Sequence, residues 1–458
     1  MSGLYTSLTM AARALSAQQL GLEVTGNNIA NVNTAGYARR TIDYAAVAPE
    51  SKLSAGNGVT VQGIRSIRDR LLERRVLDEV PSEGRAQELS EILQVVEAGM
   101  GATGNSIDGR LTEMFGSFSR LADAPTSAVA RADVINTANE LTQSFHEMAG
   151  RLANAQRQAD ARVGSTVEEI NALAEQIATV NHSLGASAEE ARLPLQDELS
   201  NLLRELNTLV NVDVVERPGG GVDITIGSGR ALVIADEAYR IEAVSQPPNG
   251  LSAVMAGGLD ITSELRGGRL VGAIEARDVS IPDYMTRLDT IAFGVAQEVN
   301  ALHQTGFDQL GNTNQNFFAP IAAVAGAARL LEVDAAITAD SRRIAAAGVS
   351  EVGDNTVAKS LADLRDARVL DGNSATLIDG WSHLAYRVGR DTRAAMDGLE
   401  AQSDIVAQID ALRDSVSGVS LDEEAVNMIK FQRAYEANAR FFSTIDQTLS
   451  ILFSIVGR

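Results

Sequence analysis

The chain has 458 residues, 45% of them apolar, which is enough for several packed domains and too hydrophobic for a disordered tail. With 60 acidic against 39 basic side chains the formal charge is -21, a balance that repels phosphate backbones and argues against nucleic acid as the main partner. The absence of cysteine excludes disulfides, thiolate metal sites and thiol chemistry, and no run of about 18 apolar residues is present to span a bilayer.

The first predicted element is one helix over residues 4–31. Its large apolar residues recur every seven positions at Leu8, Leu15, Leu22 and Ile29, a narrow stripe suited to packing on another helix rather than on a broad core. Ser7, Thr9, Arg13, Ser16, Gln18 and Gln19 interrupt any secretory apolar segment. The stripe runs into Asn27, Asn28 and Asn31, whose amides can bond carbonyls freed at a helix end, with Gly36 free to take positive φ. Extended chain and turns are predicted from Asn33 to Gly63, the sharpest at Gly56-Asn57-Gly58. Through Arg75 nine basic residues stand against five acidic ones, so the acid is carried further in.

A helical region follows. Ile107, Leu111, Met114, Phe115, Phe118 and Leu121 mark a helix that stops before Pro125. A much longer pattern continues through Leu141, Phe145, Met148, Leu152, Val163, Val167, Ile170, Leu173, Ile177 and Val180, and Leu195, Leu199, Leu202, Leu206 and Leu209 give another apolar face. From Val212 the period changes to two, with turns at Pro218 to Gly221 and Gly227 to Gly229, and predicts a small antiparallel β unit within about 210–275. A helix returns near Ile281 to Leu302, the stretch 311–371 reads as a small mixed insertion, and a long helix runs from Ser374 to Val416. After the break Ser417-Gly418-Val419-Ser420, a second heptad seam occupies Leu421, Met428, Tyr435, Phe442, Leu449 and Val456, with Phe431, Ile445 and Leu452 beside it. Asp422, Glu423 and Glu424 are read as exposed acids in its first turn, where the helix dipole favours anions.

The fold class expected is mainly α: terminal coiled-coil-like helices, a long-helix bundle and an inserted antiparallel β unit. Residues 1–62 with 405–458 form the terminal helical domain, and 63–310 with 372–404 form the bundle. Each seam buries too little by itself to offset the cost of ordering a long helix, so neighbouring copies are expected to complete the burial.

Motifs for chemistry are weak. His146, His182, His303 and His383 lack the spacing of a metal-binding helix, Gly227-Ser228-Gly229 leads into a strand rather than a phosphate-binding helix, and Asp308 to Asn316 lacks the glycine and final glutamate of a calcium loop. No nucleophile elbow or Walker lysine is present. No catalytic residue, cofactor or metal is therefore expected.

The string Asn27-Asn28-Ile29-Ala30-Asn31-Val32-Asn33-Thr34-Ala35-Gly36-Tyr37 resembles the N-terminal signature shared by bacterial flagellar rod, hook and hook-associated proteins. Ser417 to Glu424, Phe431-Gln432-Arg433-Ala434-Tyr435 and Ala437-Asn438-Ala439 resemble the C-terminal end of hook-associated proteins of the FlgK type, as does Val299 to His303 with Gly306-Phe307-Asp308 and Phe317-Phe318. The resemblance implies a structural axial protein joining hook to filament, exported by the flagellar type III apparatus and located outside the cell. It implies as partners other copies of the chain, hook protein, a second junction protein and an export chaperone on the helix from Leu421 to Val456. Relatives often carry a large outer β domain after the Phe317-Phe318 segment, which is short here. Two rival readings are a secreted wall hydrolase on an axial scaffold, which a cleft of convergent Asp or Glu in 210–375 would favour, and a hook or distal rod protein, which the helical middle opposes.

Overall fold

The computed structural model describes residues 2–34, 36–48, 56–100, 106–188, 191–351 and 353–456. In chain order the elements begin with helix α1 (Ser2–Ala30), strands β1 (Arg40–Ala46) and β2 (Val59–Ser66), and helices α2 (Arg70–Met100), α3 (Ile107–Asp123), α4 (Ala128–Ala186) and α5 (Arg192–Leu209). Seven strands follow: β3 (Val212–Glu216), β4 (Val222–Ile226), β5 (Arg230–Ile234), β6 (Glu237–Ala238), β7 (Ile241–Gln246), β8 (Leu251–Ala256) and β9 (Leu259–Asp260). Helices α6 (Gly268–Glu275), α7 (Ile281–His303), α8 (Ala327–Leu330), α9 (Ala335–Ala339), α10 (Thr356–Asp363), α11 (Leu377–Ser417) and α12 (Leu421–Val456) complete the chain.

The spine is α4. Ser127 caps it by accepting the Ala130 N–H at 3.3 Å, and no proline interrupts its 59 residues, so at 1.5 Å per residue it spans about 90 Å. Its apolar stripe packs on α3, α5, α6 and α7 and on both small sheets. Of the two sheets on α4, one has the order β3-β4-β5-β6 and the other β7-β8-β9, and β1 and β2 pair as a separate hairpin; all are antiparallel. The alternation signal reached only Ile234; the structure adds β6 to β9, and the stretch from Gly268 is helix, so the strands end at Asp260. Ala276–Ser280 is a π turn through which α6 runs into α7 without a break in helical backbone. There Arg277 is buried against Asp160 of α4 at 2.7 Å and Asp278 at 2.8 Å.

Helices α2 and α11 run antiparallel along the bundle: Gln402 donates to Glu79 near one end, and Thr392 donates to the Leu93 carbonyl near the other. Close approach of α2 to its neighbours depends on small residues, since a Cβ on Gly84 would strike Thr208 and one on Gly272 would crowd Arg85 and Glu88. Glu88, 1% exposed, is paired with both Arg162 of α4 and Arg269 of α6.

Residues 311–371 join the same core rather than a separate one. Phe317 and Phe318 are fully buried, with Phe317 edge-on to Phe118 at 5.5 Å and to Phe318 at 4.9 Å. This stretch is held by single buried polar side chains: Asn300 accepts the N–H groups of Phe317 and Phe318, and Arg131 donates to the Ile344 carbonyl at 2.6 Å. Such anchors have no sequence period, which is why the segment reads as shapeless.

Candidate functional site

The terminal helices α1 and α12 lie antiparallel. Asn28 meets Glu424 at one end, and Gly21 faces the Phe431 ring with no room for a Cβ. The seam residues Leu8, Leu15, Leu22 and Ile29 are half-buried; the line of α1 that is fully covered consists mostly of smaller residues, among them Ala11, Ala17, Gly21, Val24 and Thr25. On α12, Ile445 and Glu424 are the only fully buried side chains among the described residues. Met428, Phe431, Phe442 and Leu449 are half-buried, while Leu421, Tyr435 and Leu452 are exposed. The side chain of Val456 lies outside the described residues, as do residues 49–55.

The Asn-rich signature forms the base of this pair. An amide offers two N–H donors and two acceptor lone pairs, and Asn28 uses all four. Its Nδ2 donates to the Arg40 carbonyl at 3.0 Å and to Glu424 at 3.1 Å; its Oδ1 accepts the Arg40 N–H at 3.0 Å and the Tyr37 hydroxyl at 2.9 Å. Burial pushes the Tyr37 hydroxyl above its usual range, keeping it a donor, although the Arg40 guanidinium over its ring opposes this. Asn31, half-buried, caps the helix end by donating to the Asn27 carbonyl at 2.9 Å, and Asn27 itself is exposed. Gly36 takes φ +74°, and a Cβ there would overlap the Asn201 side chain.

One sequence expectation needs correcting. Asp422 is exposed, but Glu424 is only 2% exposed and is paired with Arg39 at 2.7 Å, while Glu423 meets the same guanidinium at 2.8 Å. Glu424 stays dry because it exchanges water for the Arg39 fork and the Asn28 amide. Arg39 and Arg40 diverge, as neighbouring residues of extended chain do. Arg39 points to α12; Arg40 reaches Asp197 of α5 at 2.9 Å, and Arg68 binds the other oxygen of that carboxylate. Sequence reasoning missed this arrangement. Its available signals were the Arg39-Arg40 pair after the Asn-rich turn and the polar positions Asp197, Asn201 and Arg204 on an otherwise leucine-rich helix.

The remaining chemistry is structural. His303 is buried with Nδ1 donating to the Gln315 carbonyl at 2.8 Å and Nε2 accepting the Ala345 N–H at 2.9 Å, so it is neutral, and desolvation lowers its pKa. Asp308 accepts the N–H groups of Leu310 and Asn312 in a tight turn. A shallow polar pocket at the Gly227 to Gly229 hairpin contains Asp213 and Glu264, but Asp213 is exposed and Glu264 is engaged by the Ser228 N–H. Among the described residues no group of three or more His, Cys, Asp or Glu could hold a metal ion. No described helix is long and apolar enough to cross a membrane.

Comparison with known proteins agrees with this layout. A family model described as the flagellar hook-associated protein FlgK helical domain matches residues 93–318, and models for the flagellar basal body rod protein and the rod FlgEFG C-terminal region match 8–37 and 400–455. The chain belongs to the FlgK-type hook-associated proteins of the bacterial flagellum. Flagellar hook-associated protein 1 of Bacillus subtilis is 26% identical, with 100% of this chain and 99% of the relative covered. The proteins of the same name from Escherichia coli and Salmonella typhimurium are 24% and 25% identical over 97% of this chain. The solved structure of the flagellar hook junction protein FlgK from Burkholderia pseudomallei shares the fold, with a TM-score of 0.67 at 13% identity, covering 75% of this chain and all of that one. A FlgK-type chain is a structural protein of the hook-filament junction class, and neither the hydrolase nor the rod reading is favoured.

Proposed function

We propose that α1 and α12 are the assembly module through which copies of this chain pack side by side outside the cell, between hook protein and a second junction protein. The observation that carries the reading is the face of α12 turned away from α1. Val426, Ile429, Phe441 and Ile451 lie there, 65%, 51%, 44% and 59% exposed, although apolar side chains in a row on one helix face favour a partner over water. On α1 the only charged residues are Arg13 and Glu23 in 29 positions, so its outer face of Ala, Ser, Gln and Asn also suits close packing against helices rather than solvent. Residues 1–62 and 405–458 act in this reading as the assembling part, and the bundle with its β unit as the outer shell. The protein has no catalytic role; its secretion follows the flagellar type III route, and a chaperone covers Met428, Phe431, Phe442 and Leu449 before assembly.

In cells lacking the parent gene, the double variant Ile429→Ser and Ile451→Ser should yield soluble, folded protein that fails to reach hook tips, read by immunogold labelling of isolated hook-filament structures. Normal bands at the junction would refute the outer-face reading. Removing residues 2–33 should also block incorporation. Phe442→Ala with Leu449→Ala should weaken chaperone capture in a pull-down.

A further inference from the structure

The polar face of α5 occupies a particular place. Asp197, Asn201 and Arg204 stand at i, i+4 and i+7, one above another on a single helix face. Each meets a different part of the base of the terminal pair. Asp197 takes Arg40 and Arg68, the residues at either end of the β1–β2 hairpin. Asn201 lies where any side chain at Gly36 would go, so the signature turn rests directly on it. Arg204 holds Asp410 of α11 at 2.8 Å, seven residues before α11 ends at Ser417. The Ser417 carbonyl in turn accepts the Arg39 N–H at 3.0 Å, closing the ring of contacts. The opposite face of α5 is spent on the bundle core through Leu199, Leu202, Leu203 and Leu206.

We infer that this face of α5 sets the angle between the terminal helix pair and the helical body, with Asp197 as the positioning residue. The inference rests on the reading that the pair is the part that assembles. A hairpin and two helix ends joined to a bundle by short connections could swing; here the swing is stopped by one carboxylate between two guanidiniums and by a turn seated without a spare atom. The ion pairs are mostly covered, Asp197 and Arg68 being 14% and 15% exposed, so they are screened less than surface pairs. Because Arg39 and Arg40 are adjacent and diverge, the same two residues bind the start of α12 and the body. A rotation of the pair about the hairpin must therefore break one of the two contacts. For a protein that fits between two different polymers, a fixed angle of this kind determines which lattice its terminal helices can enter.

The chain has no cysteine, so Ser165→Cys on α4 and Ala425→Cys in the second turn of α12 give a clean spin-label pair in the full-length protein. The parent should show one narrow distance distribution. Asp197→Asn should broaden or shift it and lower incorporation at hook tips about tenfold or more, the effect of losing a charge-assisted bond, while the melting of the bundle is unchanged. Arg40→Gln should act in the same direction, and the double variant should be no worse than the more severe single one. A broad distribution in the parent, or an unchanged one in Asp197→Asn, overturns the inference. If Asp197→Asn lowers the melting temperature of the bundle, Gly36→Ala takes over the test, since it lifts the turn from α5 without touching the core. Adding Asn201→Ala should then recover part of the narrow distribution, and no recovery also counts against the inference. Failure of the assembly reading is separate: it is signalled by normal incorporation of the chain lacking residues 2–33.

Discussion

The bundle and the terminal pair are built from similar helices and finished differently. In the bundle Phe115, Phe118, Phe145, Tyr284 and Phe317 are fully enclosed, and the long helices α2, α4 and α11 are flanked on several sides. In α12, a helix of 36 residues, only Glu424 and Ile445 are enclosed among the described side chains, and the other described apolar residues are shared between a half-covered seam and an open face. Helix propensity does not separate the two regions; completeness of burial does. The bundle encloses its own core, whereas the far end of the terminal pair leaves apolar side chains open, which the proposed assembly would cover with helices of neighbouring copies.

The comparison breaks most visibly under large-to-small substitution. Phe118→Ala in the bundle should cost about 3–5 kcal/mol, measured by thermal or chemical unfolding, whereas Phe431→Ala on α12 should leave the main transition in place and act on assembly instead. A comparable loss in both would mean the pair is part of one cooperative core. Glu88→Ala should be next in size, about 1.5–3 kcal/mol, because it removes the buried carboxylate that Arg162 and Arg269 share, while both guanidiniums, 39% and 33% exposed, keep access to water. No such cost should follow removal of Glu423, which is exposed.

A pH titration separates the regions more finely. His303 is neutral in the folded bundle with its pKa lowered from 6.5, so the unfolded chain takes up a proton at higher pH than the folded one. Its contribution is complete above about pH 6.5 and is lost as pH falls below that value. Bundle stability should decline on acidification through this window, and His303→Gln should remove that component of the slope while lowering stability at neutral pH. The smallest effect belongs to Ile429→Ser, within about 0.5 kcal/mol for the isolated chain, despite its expected loss of junction assembly.

Much of this division could be read from the residues. The end of α3 before Pro125, the length of α4, the change of period at Val212 and the break at Ser417 to Ser420 are local signals, and the structure places element boundaries at each of them. The heptad seam of α1 was visible, but its leucines flank the tightest contact, because a large residue, Phe431, fills the gap left by Gly21. The base of the pair was not legible. Glu424 looks like a helix-start acid until Arg39 is brought beside it from 385 residues away. Asp197 likewise looks like a solvated helix position until the hairpin folds over it. Pairings of such long separation leave no period, and strands β7 to β9 and residues 311–371 were obscured for a related reason: their order comes from partners distant in sequence, such as Asn171 bonding the Ile241 backbone.

Hydrogen exchange of the dilute, unassembled protein, followed residue by residue, tests the difference most directly. Amides of α4 and of the α2–α11 pair should be strongly protected. Along α12 protection should be highest near Glu424, where the Arg39 and Asn28 contacts hold the helix start, and should fall away beyond Phe441, with the N-terminal half of α1 following the same decline. In assembled junctions the gradient should vanish. Uniform strong protection through Val456 in the lone chain would contradict the account, since the terminal helices would then be complete without neighbours.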